Sequence, residues 1–231
     1  MKTIGLIGGM SWESSVEYYR ILNETAREKL GGLHSAKSLM ITVDFAEIET
    51  LQREGRWDEA AQILLDCARN LERGGADFIL LCTNTMHKVA GQITTGIKIP
   101  LLHIADATAE VIVQAGIKKI GLLGTRFTME HDFYKDRLIK NYGLDVLVPN
   151  ESERQIIHRV IYDELCLGQV REASRGQYKK IMQSLVDGGA EGIILGCTEI
   201  ELLIRQEDCP VPLFPTSRIH AVAAVEKALE E

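Results

Sequence analysis

Apolar positions along this chain fall into two patterns. Short continuous runs, rich in branched residues and ended by glycine or a polar residue, stand in KTIGLIGGM (2–10), GGADFILLCTNT (74–85), IPLLH (99–103), KKIGLLGTR (118–126), GGAEGIILGCTE (188–199) and VPLFP (211–215). Runs of this kind predict strands buried on both faces, as in parallel sheets. Between them apolar residues recur at helical spacing. Trp12 to Leu30 carries Val16, Tyr19, Leu22, Ala26 and Leu30, which predicts one buried face, and Gly31-Gly32 is its stop signal. Trp57 to Leu71 carries Ala60, Leu64, Cys67, Ala68 and Leu71 and stops at Gly74-Gly75. Met129 to Tyr142, Tyr178 to Val186 and a terminal stretch from Ala221 to Glu231 read as further helices. Strands alternating with helices predict an α/β fold built on parallel sheets flanked by helices.

The strand-like runs come in pairs. The offsets are 118 − 2 = 116, 188 − 74 = 114 and 211 − 99 = 112, in unchanged order, as two copies of one fold would give. The expected division is a first α/β domain from residues 1–102 plus 210–231 and a second from 103–209. Ungapped alignment of the second pair sets Cys197 opposite Thr83, while Cys82 falls opposite Gly196. Ligands of open parallel sheets bind beyond the carboxyl ends of the strands. Those ends are Gly8-Gly9-Met10-Ser11, Thr83-Asn84-Thr85, Gly124-Thr125 and Cys197-Thr198-Glu199. Two pseudo-symmetric domains are expected to bring them together at an active site in the interdomain cleft.

Composition narrows the function. Of 231 residues, 45% are hydrophobic and 26% charged, and the net charge of −7 comes without any basic run. No nucleic acid is therefore expected as a partner. The apolar runs are strand-sized, so no membrane partner is expected, and the N-terminal run is too short and glycine-broken for a signal peptide. Five cysteines, without a regular framework, fit reduced thiols in a cytoplasmic enzyme.

One of those thiols stands where chemistry is expected. Cys197 ends a strand just before a helical stretch at Thr198-Glu199-Ile200, where backbone N–H groups and a helix dipole are expected to lower its pKa. Cys67 and Cys166 sit among apolar residues and read as core. Cys82 belongs to the strand-end motif, but side chains alternate along a strand, so it points away if Thr83 points toward a ligand. Gly5-x-x-Gly8-Gly9 is not the dinucleotide fingerprint, and there is no phosphate-binding loop. No histidine pair has metal-ligand spacing and no lysine stands out for a Schiff base, so neither metal nor cofactor is expected. The expected partner is a small molecule.

Taken together, KTIGLIGGMSWESS, TNTMHK, LHIADAT and GCTE followed by VPLFPT resemble the aspartate/glutamate racemase family over essentially the whole chain, in its broad enterobacterial-type amino-acid racemase subgroup. The resemblance implies a cofactor-independent isomerase of aspartate or glutamate with two similar domains, commonly a homodimer. In that family one cysteine of a C-N-T motif and one of a G-C-T motif flank the substrate's α-carbon, one removing the α-proton and the other returning a proton on the opposite face. Here G-C-T stands at Gly196-Cys197-Thr198, but C-N-T reads Thr83-Asn84-Thr85. Thr83 and Cys197 are thus the implied catalytic residues. Met10, Gln52 (with Arg53 as its alternative), Asn84, Thr85, Thr125, Thr198 and Glu199 are the implied substrate-binding ones. Glu199 matches aspartate-type members. A Y-x-x-x-K-x-G lysine of some members is replaced by Cys166 in Tyr162–Gly168. The lone thiol implies a preference for L-substrates. It also leaves open a single-thiol decarboxylase or isomerase of the same superfamily, or a non-catalytic amino-acid-binding protein.

Overall fold

The computed structural model describes residues 1–230, which divide into two compact units, Met1–Ile104 with His220–Glu231 and Ala105–Ile219. In the first, β1 (Ile4–Gly8) leads into α1 (Trp12–Leu30), then β2 (Ser38–Thr42), α2 (Phe45–Arg53), α3 (Trp57–Arg73) and β3 (Phe78–Leu81). A 3-10 turn at Thr85–Val89, α4 (Ala90–Thr95) and the two-residue β4 (Leu101–Leu102) follow. The sheet order is β2-β1-β3-β4 with every pair parallel. Alternation along the strands gives the sheet two cores. Ile7, Ile79 and Leu81 face α2 and α3, while Ile4, Leu6, Leu80 and Cys82 face α1 and the chain's last helix.

At Ile104 the chain enters α5 (Ile104–Gln114) and passes to the second unit: β5 (Lys119–Gly124), α6 (Arg126–Glu130), α7 (Asp132–Tyr142), β6 (Asp145–Leu147), α8 (Glu151–Asp163) and α9 (Glu172–Asp187). It continues with β7 (Ile193–Gly196), the one-turn α10 (Ile200–Leu203), β8 (Leu213–Pro215) and α11 (Thr216–Leu229). This sheet runs β6-β5-β7-β8, again all parallel, so each unit carries the same strand order in its own numbering. The α/β fold with parallel sheets flanked by helices, expected from the doubled runs, is what the chain forms.

Three expectations need correction. The return to the first unit comes at His220, not at residue 210, because Leu213–Pro215 pairs in parallel with β7 and stays with the second sheet. Met129 to Tyr142 is not one helix. His131 adopts extended backbone (φ −80°, ψ 152°) and serves as the N-cap of α7, which breaks the run after Glu130. The buried face of α1 is also not the one expected. Ser14, Ser15, Tyr18, Ile21, Leu22, Thr25 and Ala26 are buried, whereas Val16, Tyr19 and Leu30 lie exposed. Both stripes satisfy a helical period; the inward one mixes small and hydroxyl residues with Tyr18, Ile21 and Leu22, which share a core with β1 and α11.

Candidate active site in two strand-end motifs

The register of each sheet fixes which residues are equivalent. Ile7 pairs with Leu81 in the first sheet and Leu123 with Leu195 in the second. Thr83 and Cys197 each stand two residues beyond those paired leucines, and Cys82 answers to Gly196. Cys82 is fully buried in the core shared with Tyr18 and Leu80, and burial pushes its thiol far above the usual range. Gly196 has no room for such a side chain, since an added Cβ would lie 2.6 Å from the Leu123 carbonyl oxygen.

In the first unit the loop after β1 is held from within. The Gly9 N–H donates to Ser15 Oγ at 2.8 Å, and that hydroxyl donates to the Ser11 carbonyl at 2.9 Å. Gly9 has φ +91°, and an added Cβ would collide with the backbone of Val43, so only glycine fits here. Met10 is buried beside Ile48 and Leu51 of α2. Gln52, near the end of α2, donates from Nε2 to the thioether sulfur of Met86 at 3.0 Å, which ties α2 to the Thr83 motif. Thr83, Asn84 and Thr85 are all buried, Thr83 retaining 9% exposure. The Thr83 carbonyl lies 2.7 Å from His87 Nδ1, and its hydroxyl makes no hydrogen bond among the described residues. Sequence reasoning missed His87, although it lies inside TNTMHK. Its signal is the four-residue spacing from Thr83 across a tight turn.

In the second unit Thr125 caps α6, its Oγ1 accepting from the Thr128 N–H at 3.3 Å. Gly124 pairs with Gly196, so Thr125 and Cys197 leave adjacent strands side by side. Cys197 is 8% exposed, and its sulfur donates to Glu199 Oε2 at 2.9 Å; Thr198 Oγ1 donates to the same oxygen at 2.8 Å. The expected lowering of the Cys197 pKa is not found. Burial pushes the thiol well above its ordinary value, and the neighbouring Glu199 carboxylate adds to the effect. The helix beyond, α10, has only four residues, too few for an appreciable dipole. The unliganded thiol therefore keeps its proton and points it at a carboxylate. Glu199, expected to meet substrate, accepts from the Cys197 thiol in this structure.

The structure thus gathers Met10, Gln52, Thr83, Asn84 and Thr85 around one sheet end, and Thr125, Cys197, Thr198 and Glu199 around the other. Arg53 is exposed and pairs with Glu49 at 3.3 Å, so Gln52 is the inward residue of that pair. Among the described residues no group of three His, Cys, Asp or Glu side chains could hold a metal ion, and no helix is long and apolar enough to cross a membrane.

Known proteins share this fold. A Yersinia pestis chain described only by assignment as an Asp/Glu racemase is 53% identical, with each chain covered in full and a TM-score of 0.93. An aspartate racemase homologue from Pyrococcus horikoshii is 36% identical, again with full coverage of both and a TM-score of 0.86. The broad specificity amino-acid racemase RacX of Bacillus subtilis is 26% identical over 176 residues, 74% of each chain. Residues 7–224 match the Asp/Glu/Hydantoin racemase family, and with that match spanning both strand-end motifs the chain belongs to this family and is an isomerase of the amino-acid racemase type.

Proposed function

We propose that this racemase acts on aspartate or glutamate without a cofactor, with Cys197 as the base for the L-isomer and the Thr83 motif addressing the opposite face of the α-carbon. The observation that carries this is the Cys197–Glu199 hydrogen bond of 2.9 Å, because it gives a buried thiol a place to send its proton. The thiol proton passes to the Glu199 carboxylate, and the thiolate takes the α-proton, becoming a thiol again. The substrate's ammonium group offsets the negative charge that burial makes costly. The carbanion then takes a proton on its other face from the Thr83 hydroxyl; water returns a proton to Thr83, and the proton held by Glu199 leaves to the hydroxide so formed, which restores the carboxylate. Met10, Gln52, Asn84, Thr85, Thr125 and Thr198 are proposed to hold the two carboxylates and the ammonium.

A threonine hydroxyl is far less acidic than a thiol, whose ordinary pKa is about 8.5. The Thr83 side is therefore the slower one, which favours L-substrates in kcat. The free enantiomers stay 1:1 at equilibrium, so kcat/KM values in the two directions remain equal and the asymmetry lies in kcat and KM separately. Exchange of the α-proton in heavy water tests this. L-aspartate or L-glutamate should exchange rapidly and the D-isomers slowly at saturation; Cys197→Ala should abolish exchange, and Thr83→Cys should raise turnover of the D-isomer by about tenfold or more. Equal, fast exchange from both enantiomers of the wild-type enzyme would overturn the assignment. Binding without any exchange would instead favour a non-catalytic amino-acid-binding protein. We also propose that the chain works in the cytoplasm as a homodimer, supported by the exposed apolar stripe of α1.

A further inference from the structure

The Thr83 motif rests on a group of three buried histidines that the proposed chemistry leaves unused. His87, His103 and His220 are 3%, 7% and 0% exposed. The His87 ring centroid lies 4.4 Å from that of His103 and 6.0 Å from that of His220. Hydrogen bonding fixes the tautomers of two of them. The Ile104 backbone N–H can only donate, and it donates to His87 Nε2 at 3.2 Å. Nε2 is therefore unprotonated and the proton is on Nδ1, which donates to the Thr83 carbonyl at 2.7 Å. In His220, Nε2–H donates to the Leu102 carbonyl at 2.9 Å, and Nδ1 accepts from the Tyr18 hydroxyl at 2.8 Å. Both imidazoles are neutral and both use each of their nitrogens.

These bonds fall at particular places. Ile104 is the last residue of the first unit before the chain leaves it, and His220 is the first residue after the chain returns. Leu102 closes β4, the strand beside β3. Thr83 sits on a strand end and, among the described residues, its hydroxyl makes no hydrogen bond, so the hydrogen bond to its carbonyl is what ties this residue to the turn beyond it. His87 fixes the Thr83 backbone to the start of α5 through a single ring.

We propose that His87 is a positioning residue for the Thr83 side of the reaction, acting through the Nδ1–H···O=C bond to Thr83. It touches no substrate and moves no proton. This rests on the assignment of Thr83 and Cys197 to opposite faces of the substrate, and the test separates the failure of either. After Cys197 removes the α-proton of L-aspartate in heavy water, the carbanion either regains deuterium on the Cys197 side or is inverted by the Thr83 side. The ratio of inversion to exchange with retention does not depend on how much of a preparation is folded.

His87→Gln keeps an acceptor where Nε2 lies and loses the donor to Thr83, whereas His87→Asn keeps the donor and loses the acceptor. H87Q should lower the inversion-to-retention ratio about tenfold, since small displacements of a catalytic group have effects of that order or larger, with exchange from L-aspartate kept within about threefold. H87N should leave the ratio within about twofold of wild type. A ratio unchanged in H87Q, or one that collapses in H87N, overturns the proposal. Should H87Q fail to fold, the H87N ratio decides alone, an unchanged value supporting the role and a collapse removing it. Persistence of exchange in Cys197→Ala would instead show that the two-sided assignment itself had failed.

Discussion

Cys197 keeps its proton on sulfur until something accepts it, and Glu199 Oε2 at 2.9 Å is the acceptor in place. Glu199→Gln should therefore slow α-proton exchange from L-aspartate by roughly 100-fold, the lower part of the range for loss of a general base. Its thermal midpoint should move little, because glutamine can still accept from Thr198 through its carbonyl. Exchange within about threefold of wild type would show that Glu199 takes no proton. The position of Cys197 was legible from the doubled motif alone, as was the substitution that leaves Thr83 opposite it. The state of the thiol was not, because pKa depends on burial and on a carboxylate two residues away whose orientation the sequence does not encode. His87 was hidden for a similar reason: its role lies in two backbone partners, one of them 17 residues distant.

The strands were the most readable elements, since continuous apolar runs in a repeated order leave few alternatives to buried parallel strands. β4 and β8 have two and three residues, and their assignment to a sheet depends on pairing, which a run of apolar residues does not specify. The pairing makes a specific demand at Gly196. Gly196→Ala would place a Cβ 2.6 Å from the Leu123 carbonyl oxygen, forcing β5 and β7 apart next to Cys197. A loss of about 1–3 kcal/mol in unfolding free energy is expected, together with loss of exchange, whereas Cys82→Ala at the equivalent place should leave exchange intact. If Cys82→Ala abolished exchange, the register of the first motif would be misassigned. At the start of the returning helix segment, burial lowers His220 to a pKa of about 4, with the Tyr18 hydroxyl and the neutral His87 ring as its polar neighbours. The unfolded chain takes up this proton near the ordinary value of about 6.5, and the folded one only near 4. The stability tied to neutral His220 is thus fully present above about pH 6.5 and is lost as the pH falls toward 4, about 3 kcal/mol in all. Chemical denaturation between pH 7 and 4 should show this slope in the wild type and a shallower one in His220→Gln; equal slopes would assign the acid sensitivity elsewhere.

The exposed stripe of α1 bears on how many copies of the chain work together. Trp12, Val16 and Tyr19 are 67%, 53% and 56% exposed, and Leu33 in the loop after the helix is fully exposed. Between them runs a groove of about 680 Å³ lined by Val16, Tyr19, Asn23 and Leu33 among others. Large apolar side chains clustered in this way are uncommon on a surface facing only water. Their arrangement suits a second copy of the same chain. Antiparallel pairing of two α1 helices would set Trp12 of each copy near Leu30 and Leu33 of the other, with Tyr19 and Asn23 near the twofold axis, the self-complementary contact that a twofold dimer requires. Arg20 is already paired within the helix, with Glu17 at 2.6 Å and Glu24 at 2.5 Å, so it adds little ion pairing to the contact. Because each copy carries a net charge of −7, added salt should strengthen association by screening repulsion. Light scattering of the wild-type chain should then give the mass of a dimer. Tyr19→Glu combined with Leu33→Glu, both on the surface and outside either motif, should give a folded monomer. A wild-type monomer at tens of micromolar, or a variant that remains dimeric, would move the interface away from α1.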